Sequence, residues 1–192
     1  MAIDAVTAAI IDRIKASLGN QQGVPADSFT VSFASPDEAA SNADLVLFLY
    51  LITPDPDLRN AERRRPAPQA GDPPLLFAPA VPLELRFLVT TGAGAPSGPA
   101  GLGRLAGAIR AVETASPLAV PSASQDAVWL SLVPLSSEEM ARIWGLFPNE
   151  NCRSSFAFRA APVWIEPRDP LPGATPVSDD RLRANRLEGA GA

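Results

Sequence analysis

Proline sets the limits on what this chain can fold into. The 192 residues include 21 prolines, about twice the average usage. They are not evenly spread, since positions 54, 56, 66, 68, 73, 74, 79 and 82 crowd into one stretch. Proline has no backbone N–H and a fixed φ, so it breaks helix interiors and removes sheet hydrogen bonds. Little room is therefore left for long uninterrupted helices, long coiled coils are excluded, and residues 54–82 should hold neither a helix nor a central strand. Loops of that length inside a domain are usually binding arms or disordered segments. Residues 167–192 are again proline-rich, then charged, and end in glycine and alanine, as expected of a tail that stays mobile unless a partner holds it. This leaves 1–166 as one domain carrying a long loop at 54–82, which is large enough to bury a core without disulfides or metals.

Within that domain the apolar residues follow two periods. Ile3, Val6, Ile10, Ile14 and Leu18 recur every three or four residues, predicting a first helix that stops at Gly19 and Asn20. Phe29, Val31 and Phe33 alternate with polar residues, the mark of a strand with one buried face. Residues 45–52 are apolar on both faces, predicting a central strand covered on both sides or a strand with one face at a subunit contact. Leu83, Leu85, Phe87 and Val89 alternate with Glu84, Arg86, Leu88 and Thr90 in the next strand, followed by a glycine- and proline-rich linker at 92–101. Leu102, Leu105, Ile109 and Val112 define a second helix that ends before Ser116 and Pro117.

Val128, Leu130 and Leu132 then mark a strand, while Ser136 and Glu139 have capping-box spacing ahead of a short helix whose apolar face is Met140, Ile143, Trp144 and Phe147. A last strand at 155–165 contains Pro162, which predicts a bulge or an exposed edge. About three helices and five strands without regular strand–helix alternation predict an α+β domain with a mixed, mostly antiparallel sheet.

The chemical inventory is short. With no histidine and one cysteine, Cys152, triads, Cys–His pairs, His-containing zinc sites and internal disulfides are ruled out. A lone cysteine suits a reducing cytoplasm. Carboxylates are the remaining acid–base candidates, in the pairs Asp55/Asp57, Glu138/Glu139 and Asp179/Asp180. Their ordinary reading is turn residues and helix-dipole partners. Gly101 and Gly103 lack the rest of a phosphate-binding motif, and Arg63, Arg64 and Arg65 read either as a solvated charge run or as a grip on an acidic partner. Cys152 would need a depressed pKa to react, with Arg153 the one adjacent cation. Trp129, Trp144 and Trp164 could build a binding face, although Trp144 lies on the apolar face of its helix. A net charge of −5 weighs against nucleic acid. No apolar run nears the roughly 20 residues of a membrane span, and the start of the chain, with Asp4, does not read as a signal peptide.

Several blocks, in order, carry a family resemblance: the opening Met1-Ala2-Ile3 helix, 44–52 (DLVLFLYLI), Leu58-Arg59-Asn60, 83–90 (LELRFLVT), Gly103-Arg104, 130–136 (LSLVPLS), 138–148 (EEMARIWGLFP) and 159–166 (RAAPVWIE). Together they resemble the N-terminal domain of the cap, or tail-terminator, protein of extracellular contractile injection systems of the antifeeding prophage and Photorhabdus virulence cassette type. The resemblance spans 1 to about 166. It departs from the family in a longer, more proline-rich stretch before Pro82 and in the glycine, alanine and proline that precede Gly103.

It implies a non-enzymatic structural protein with no cofactor and no bound metal. The protein would form a hexameric ring that closes the tube and sheath at the end far from the baseplate. It would be assembled in the cytoplasm as part of a particle that can be released. Its partners would be further copies of itself and the sheath and inner-tube proteins, with no role for nucleic acid or membrane. Residues expected at such contacts are Arg59, Asn60, Arg63, Arg64, Arg65, Glu84, Arg86, Arg104 and Trp164. A baseplate adaptor, a carboxylate-dependent hydrolase with a raised carboxylate pKa in a pocket, and a module binding peptides at a sheet edge are the competing readings.

Overall fold

The computed structural model describes residues 2–59, 80–114, 116–120 and 127–165. In chain order these form helix α1 (Ala2–Gln22), a single 3-10 turn (Ala26–Ser28), strands β1 (Val31–Phe33), β2 (Leu45–Pro54) and β3 (Val81–Thr91), helix α2 (Pro99–Val112), strand β4 (Trp129–Val133), helix α3 (Ser137–Trp144) and strand β5 (Ser155–Ile165). The strands make one sheet in the order β1-β2-β3-β5-β4. Only the β1–β2 pair is parallel, so the expected α+β fold with a mostly antiparallel mixed sheet is what forms.

Two helices cover one face of that sheet. Val6, Ile10, Ile14 and Leu18 of α1 and Leu105, Ala108 and Val112 of α2 pack with Leu45, Leu47, Leu85, Phe87, Val89 and Phe158 in a single core. Phe87 and Phe158, opposite one another on β3 and β5, stack with ring centroids 5.2 Å apart. The helices are tied to each other by Ser17 Oγ, which donates to the Gly107 carbonyl at 2.8 Å. The third helix lies at the opposite face. Its capping box is formed in both directions: Glu139 N–H donates to Ser136 Oγ at 3.2 Å, and Ser136 N–H donates to Glu139 Oε2 at 2.8 Å. Phe147, just beyond α3, meets Phe48 of β2 edge to face at 5.3 Å.

Several elements end where the sequence pattern does not put them. The first helix continues through Gly19 and Asn20 and stops at Gly23, whose φ of +66° lets Val24 N–H reach back to the Gly19 carbonyl at 3.2 Å. This is the geometry that satisfies terminal helix carbonyls. Pro54 and Pro82 lie inside β2 and the central strand β3. Each is close to a strand end, where a missing N–H costs one terminal ladder bond, and the Pro82 carbonyl still accepts from Asp55 N–H at 2.9 Å.

Pro162 marks a bulge, not an edge: β5 runs between β3 and β4 and gains one residue as its register to β3 shifts from Leu83↔Val163 to Leu85↔Ala160. The segment after β3 is docked, with Gly92 N–H bonded to the Asp44 carbonyl and Gly94 N–H to the Ala43 carbonyl, and its last residues already belong to α2. Phe33, Leu102 and Leu132 follow the predicted period yet are exposed, because period gives the face of an element but not how far its neighbour extends. The readings made for 60–79 and 166–192 lie outside the described residues.

Candidate functional site

Alternate residues of a strand point to opposite faces, so register decides which side chains meet on the face away from α1 and α2. One row crosses β2, β3, β5 and β4 as Leu51, Arg86, Arg159 and Ser131. Two arginines directly opposite one another are unfavourable unless a counter-charge stands between them. Glu84, two residues before Arg86 on the same strand face, supplies it. Its Oε1 accepts from Arg86 Nε at 2.6 Å, its Oε2 accepts from Arg159 Nη1 at 3.0 Å, and Arg159 Nε donates on to Ser131 Oγ at 3.0 Å. The carboxylate is largely covered, with the Glu84 side chain 13% exposed, whereas Arg159 is 51% exposed.

Burial alone would push the Glu84 carboxyl up, but the hydrogen bonds and charges of Arg86 and Arg159 outweigh it and hold the group below the usual carboxylate range. The Arg86 guanidinium is correspondingly raised by its bond to Glu84. Tyr50 sits at the bulge where the β2–β3 register shifts between Leu49 and Leu51. Its hydroxyl is shut off from solvent with no hydrogen-bond partner among the described residues. Burial raises its pKa, with Arg86 nearby acting in the opposite direction. At the rim, Trp129 is 49% exposed and Leu51 38% exposed, so the face offers cations flanked by apolar surface.

The predicted contact residues divide into groups. Glu84 and Arg86 belong to this network, and Trp164, opposite Pro82, shares their face by register. Arg59 is exposed in the turn after β2. Arg104 is elsewhere: it projects from α2 onto the start of β2, with Nε 3.6 Å from Asp44 Oδ1 and its guanidinium 4.5 Å from the centre of the Phe29 ring. Asp44 in turn accepts from Thr30 N–H at 2.9 Å. Asn60, Arg63, Arg64 and Arg65 lie outside the described residues. Arg159, Tyr50 and Ser131 were missed in the sequence. A single arginine in the apolar run of β5 was the available signal, but its partners emerge only once β3 and β5 are in register.

The carboxylate pairs are accounted for locally where they are described. Asp55 Oδ1 accepts from Asp57 N–H at 3.0 Å and Leu58 N–H at 3.3 Å, which holds a turn. Glu138 pairs with Arg142 one helical turn on at 2.6 Å, and Glu139 closes the capping box. Glu84 and Glu139 shift downward, opposite to what a carboxylate general acid requires. Asp179 and Asp180 lie outside the described residues. Trp144 is buried, as expected from its helix face. Cys152 is exposed, and Arg153 beside it is bound to Glu150 and the Thr91 carbonyl. No group of metal-ligating side chains and no helix fit to cross a membrane occurs among the described residues.

The described residues thus form a five-stranded sheet with two helices on one face and a polar, partly open opposite face. Residues 5–179 match the Pvc16 N-terminal domain family, and the chain belongs to it. Solved structures of similar fold include the sheath/tube terminator of an extracellular contractile injection system, PVC, in the extended state, at TM-score 0.66 and 23% identity over 98% of this chain. They also include the tube-terminating cap of the anti-feeding prophage, at TM-score 0.58 and 23% identity over 80% of this chain. This chain spans 65% and 54% of the lengths of those two chains. At such identity the likeness establishes the fold. No curated protein matches the chain.

Proposed function

We propose that this chain is the structural cap, or terminator, of a contractile injection particle. It would form a ring on the baseplate-distal end of the tube and sheath, fix their final length and stabilise the sheath in its extended state. The observation that carries this reading is a fold likeness, over nearly all of the chain, to a protein described as a sheath/tube terminator. Family membership supports it, and so does a site whose ionised groups are spent on one another and not held ready for proton transfer.

The proposal includes a homo-hexameric ring, association with the sheath and inner-tube proteins, cytoplasmic assembly and no catalytic activity. It takes 1–166 as the terminator domain, with 54–82 as a loop and 167–192 as a tail. A closed ring needs heterologous contacts, in which one patch meets a different patch on the next copy. The face bearing Glu84, Arg86 and Trp164, together with Arg59, Asn60 and Arg63 to Arg65, is proposed as contact surface. Arg104, engaged inside its own subunit, is proposed to matter through the fold.

The test is to add the purified chain to extended tubes and sheaths assembled without it, then image the ends and measure the lengths. Rings at the end away from the baseplate, with a narrowed length distribution, are the expected result. Attachment only at the baseplate, or lengths that ignore the protein, would remove the terminator reading.

A further inference from the structure

Charge is unevenly distributed along the chain. Residues 1–57 hold eight acidic side chains and two basic ones, and the exposed acids nearest the β1 edge are Asp37 and Glu38, in the turn that follows that strand. Glu38 accepts a hydrogen bond from Ser35 Oγ at 3.3 Å, which holds the turn, while both carboxylates stay exposed. Phe33, four residues before Asp37, is 50% exposed, and among the described residues β1 ends the sheet, paired with β2. Across the sheet, on the opposite face, Arg86 and Arg159 reach out past the covered Glu84, with exposed Trp129 on the same strand face as Ser131. The second patch sets exposed Trp129 beside arginine, residue types enriched at interface hot spots, and the first sets exposed Phe33 beside two carboxylates, opposite in charge to the half-exposed Arg159.

Resting on the ring reading above, we propose that these two patches are the two halves of the subunit contact: the Asp37/Glu38 turn and Phe33 of one copy dock on the Arg86/Arg159/Trp129 face of the next. The occupant of the open sheet face is a second copy of this chain. The patches lie at different places on one molecule, so the contact is head-to-tail, the kind that closes a ring and not a two-fold dimer. Complementary charge fixes its register, and like charges brought together there oppose association strongly.

The experiment uses the full chain with two charge reversals, Asp37→Lys with Glu38→Lys in one variant and Arg159→Glu in the other. Both are scored by native mass free in solution and by ring formation on tube ends. Each variant alone should associate at least about 100-fold more weakly than wild type. An equimolar mixture should recover to within about ten-fold of wild type, because alternating copies restore opposite charge at every contact. Ser131→Glu, which keeps Glu84, Arg86 and Arg159 but replaces the hydroxyl that accepts from Arg159 Nε by a carboxylate and so neutralises that arginine, should weaken association as Arg159→Glu does even if the latter unfolds.

Single variants that assemble like wild type, or a mixture no better than its components, overturn the contact. If those same variants still cap tubes, the terminator reading survives that result. A wild-type chain that forms rings neither free nor on tubes overturns both.

Discussion

The two faces of the sheet are built on different principles. Under α1 and α2, Leu45, Leu47, Leu85, Phe87, Val89 and Phe158 are fully buried and make a continuous apolar layer. On the other face Val46 and Leu88 are also fully buried, α3 and Phe147 cover the stretch around Phe48, and the open part is Glu84, Arg86, Arg159 and Ser131 with Leu51 and Trp129 at its rim. Burial of an apolar side chain is worth about 1.5–3 kcal/mol, whereas ion pairs exposed on a surface contribute about 0–1 kcal/mol. The inner face and the covered end of the outer face therefore hold the fold, and the open, charged part of the outer face can be altered, or used by a partner, with little effect on stability.

The sharpest way to break that contrast is to truncate one aromatic on each side. Phe158→Ala removes the ring stacked on Phe87 and should lower unfolding free energy by about 3–5 kcal/mol in urea titration. Trp129→Ala on the open side should change it by less than about 0.5 kcal/mol. Equal losses would mean that Trp129 is part of the core. Next in size is Gly92→Ala. A Cβ there would stand 2.1 Å from the Ala43 carbonyl oxygen, so backbone has to move and about 1–3 kcal/mol should be lost. That loss would be read as a drop in melting temperature, and an unchanged melting temperature would mean that the segment after β3 is not docked on 42–44.

The inner face was legible in the sequence to a greater depth than the outer. The strand at 83–90 and the capping box at Ser136 and Glu139 depend on local period and spacing, and both formed as read. Local pattern could not place Phe33, Leu102 or Leu132, whose exposure depends on where a neighbouring element ends. Nor could it pair Arg159 with Glu84, 75 residues away in the chain, because that contact exists only through the β3–β5 register. Glu84 and Arg86 stood out as charges in an apolar strand, while Arg104 was grouped with them by family resemblance although its partners are Asp44 and Phe29.

Arg104 gives the intermediate effect. Its side chain and that of Asp44 are each 14% exposed, so Arg104→Ala leaves a covered carboxylate without its counter-charge. A loss of about 1–3 kcal/mol is expected. Arg59→Ala, at an exposed turn, should stay within about 0.5 kcal/mol. If instead Arg59→Ala destabilised the chain and Arg104→Ala did not, Arg104 would return to the list of outward contacts.

The smallest effect concerns acid, and it separates the two carboxylates at the outer side of the sheet. The folded state holds Glu84 below its unfolded pKa of about 4.3, so the native chain binds fewer protons there than the unfolded chain. The stability this supplies is complete above the unfolded pKa and is lost as pH falls through the folded one. Stability measured in urea from pH 7 to pH 3 should therefore fall less steeply for Glu84→Gln than for wild type, with a difference below about 1 kcal/mol because Arg159 is half-exposed. Glu139 is also held low, by the Ser136 N–H. Glu139→Gln should remove its own share, and the two substitutions should fall short of simple addition, since both carboxylates interact with Arg86. Parallel pH curves for wild type and Glu84→Gln would show that the bonds to Arg86 and Arg159 do not survive in solution. In association assays the same Glu84→Gln variant should bind its neighbour at least as well as wild type. It removes a negative charge from a face proposed to receive Asp37 and Glu38, so weaker binding would mean that the face recognises something other than acid.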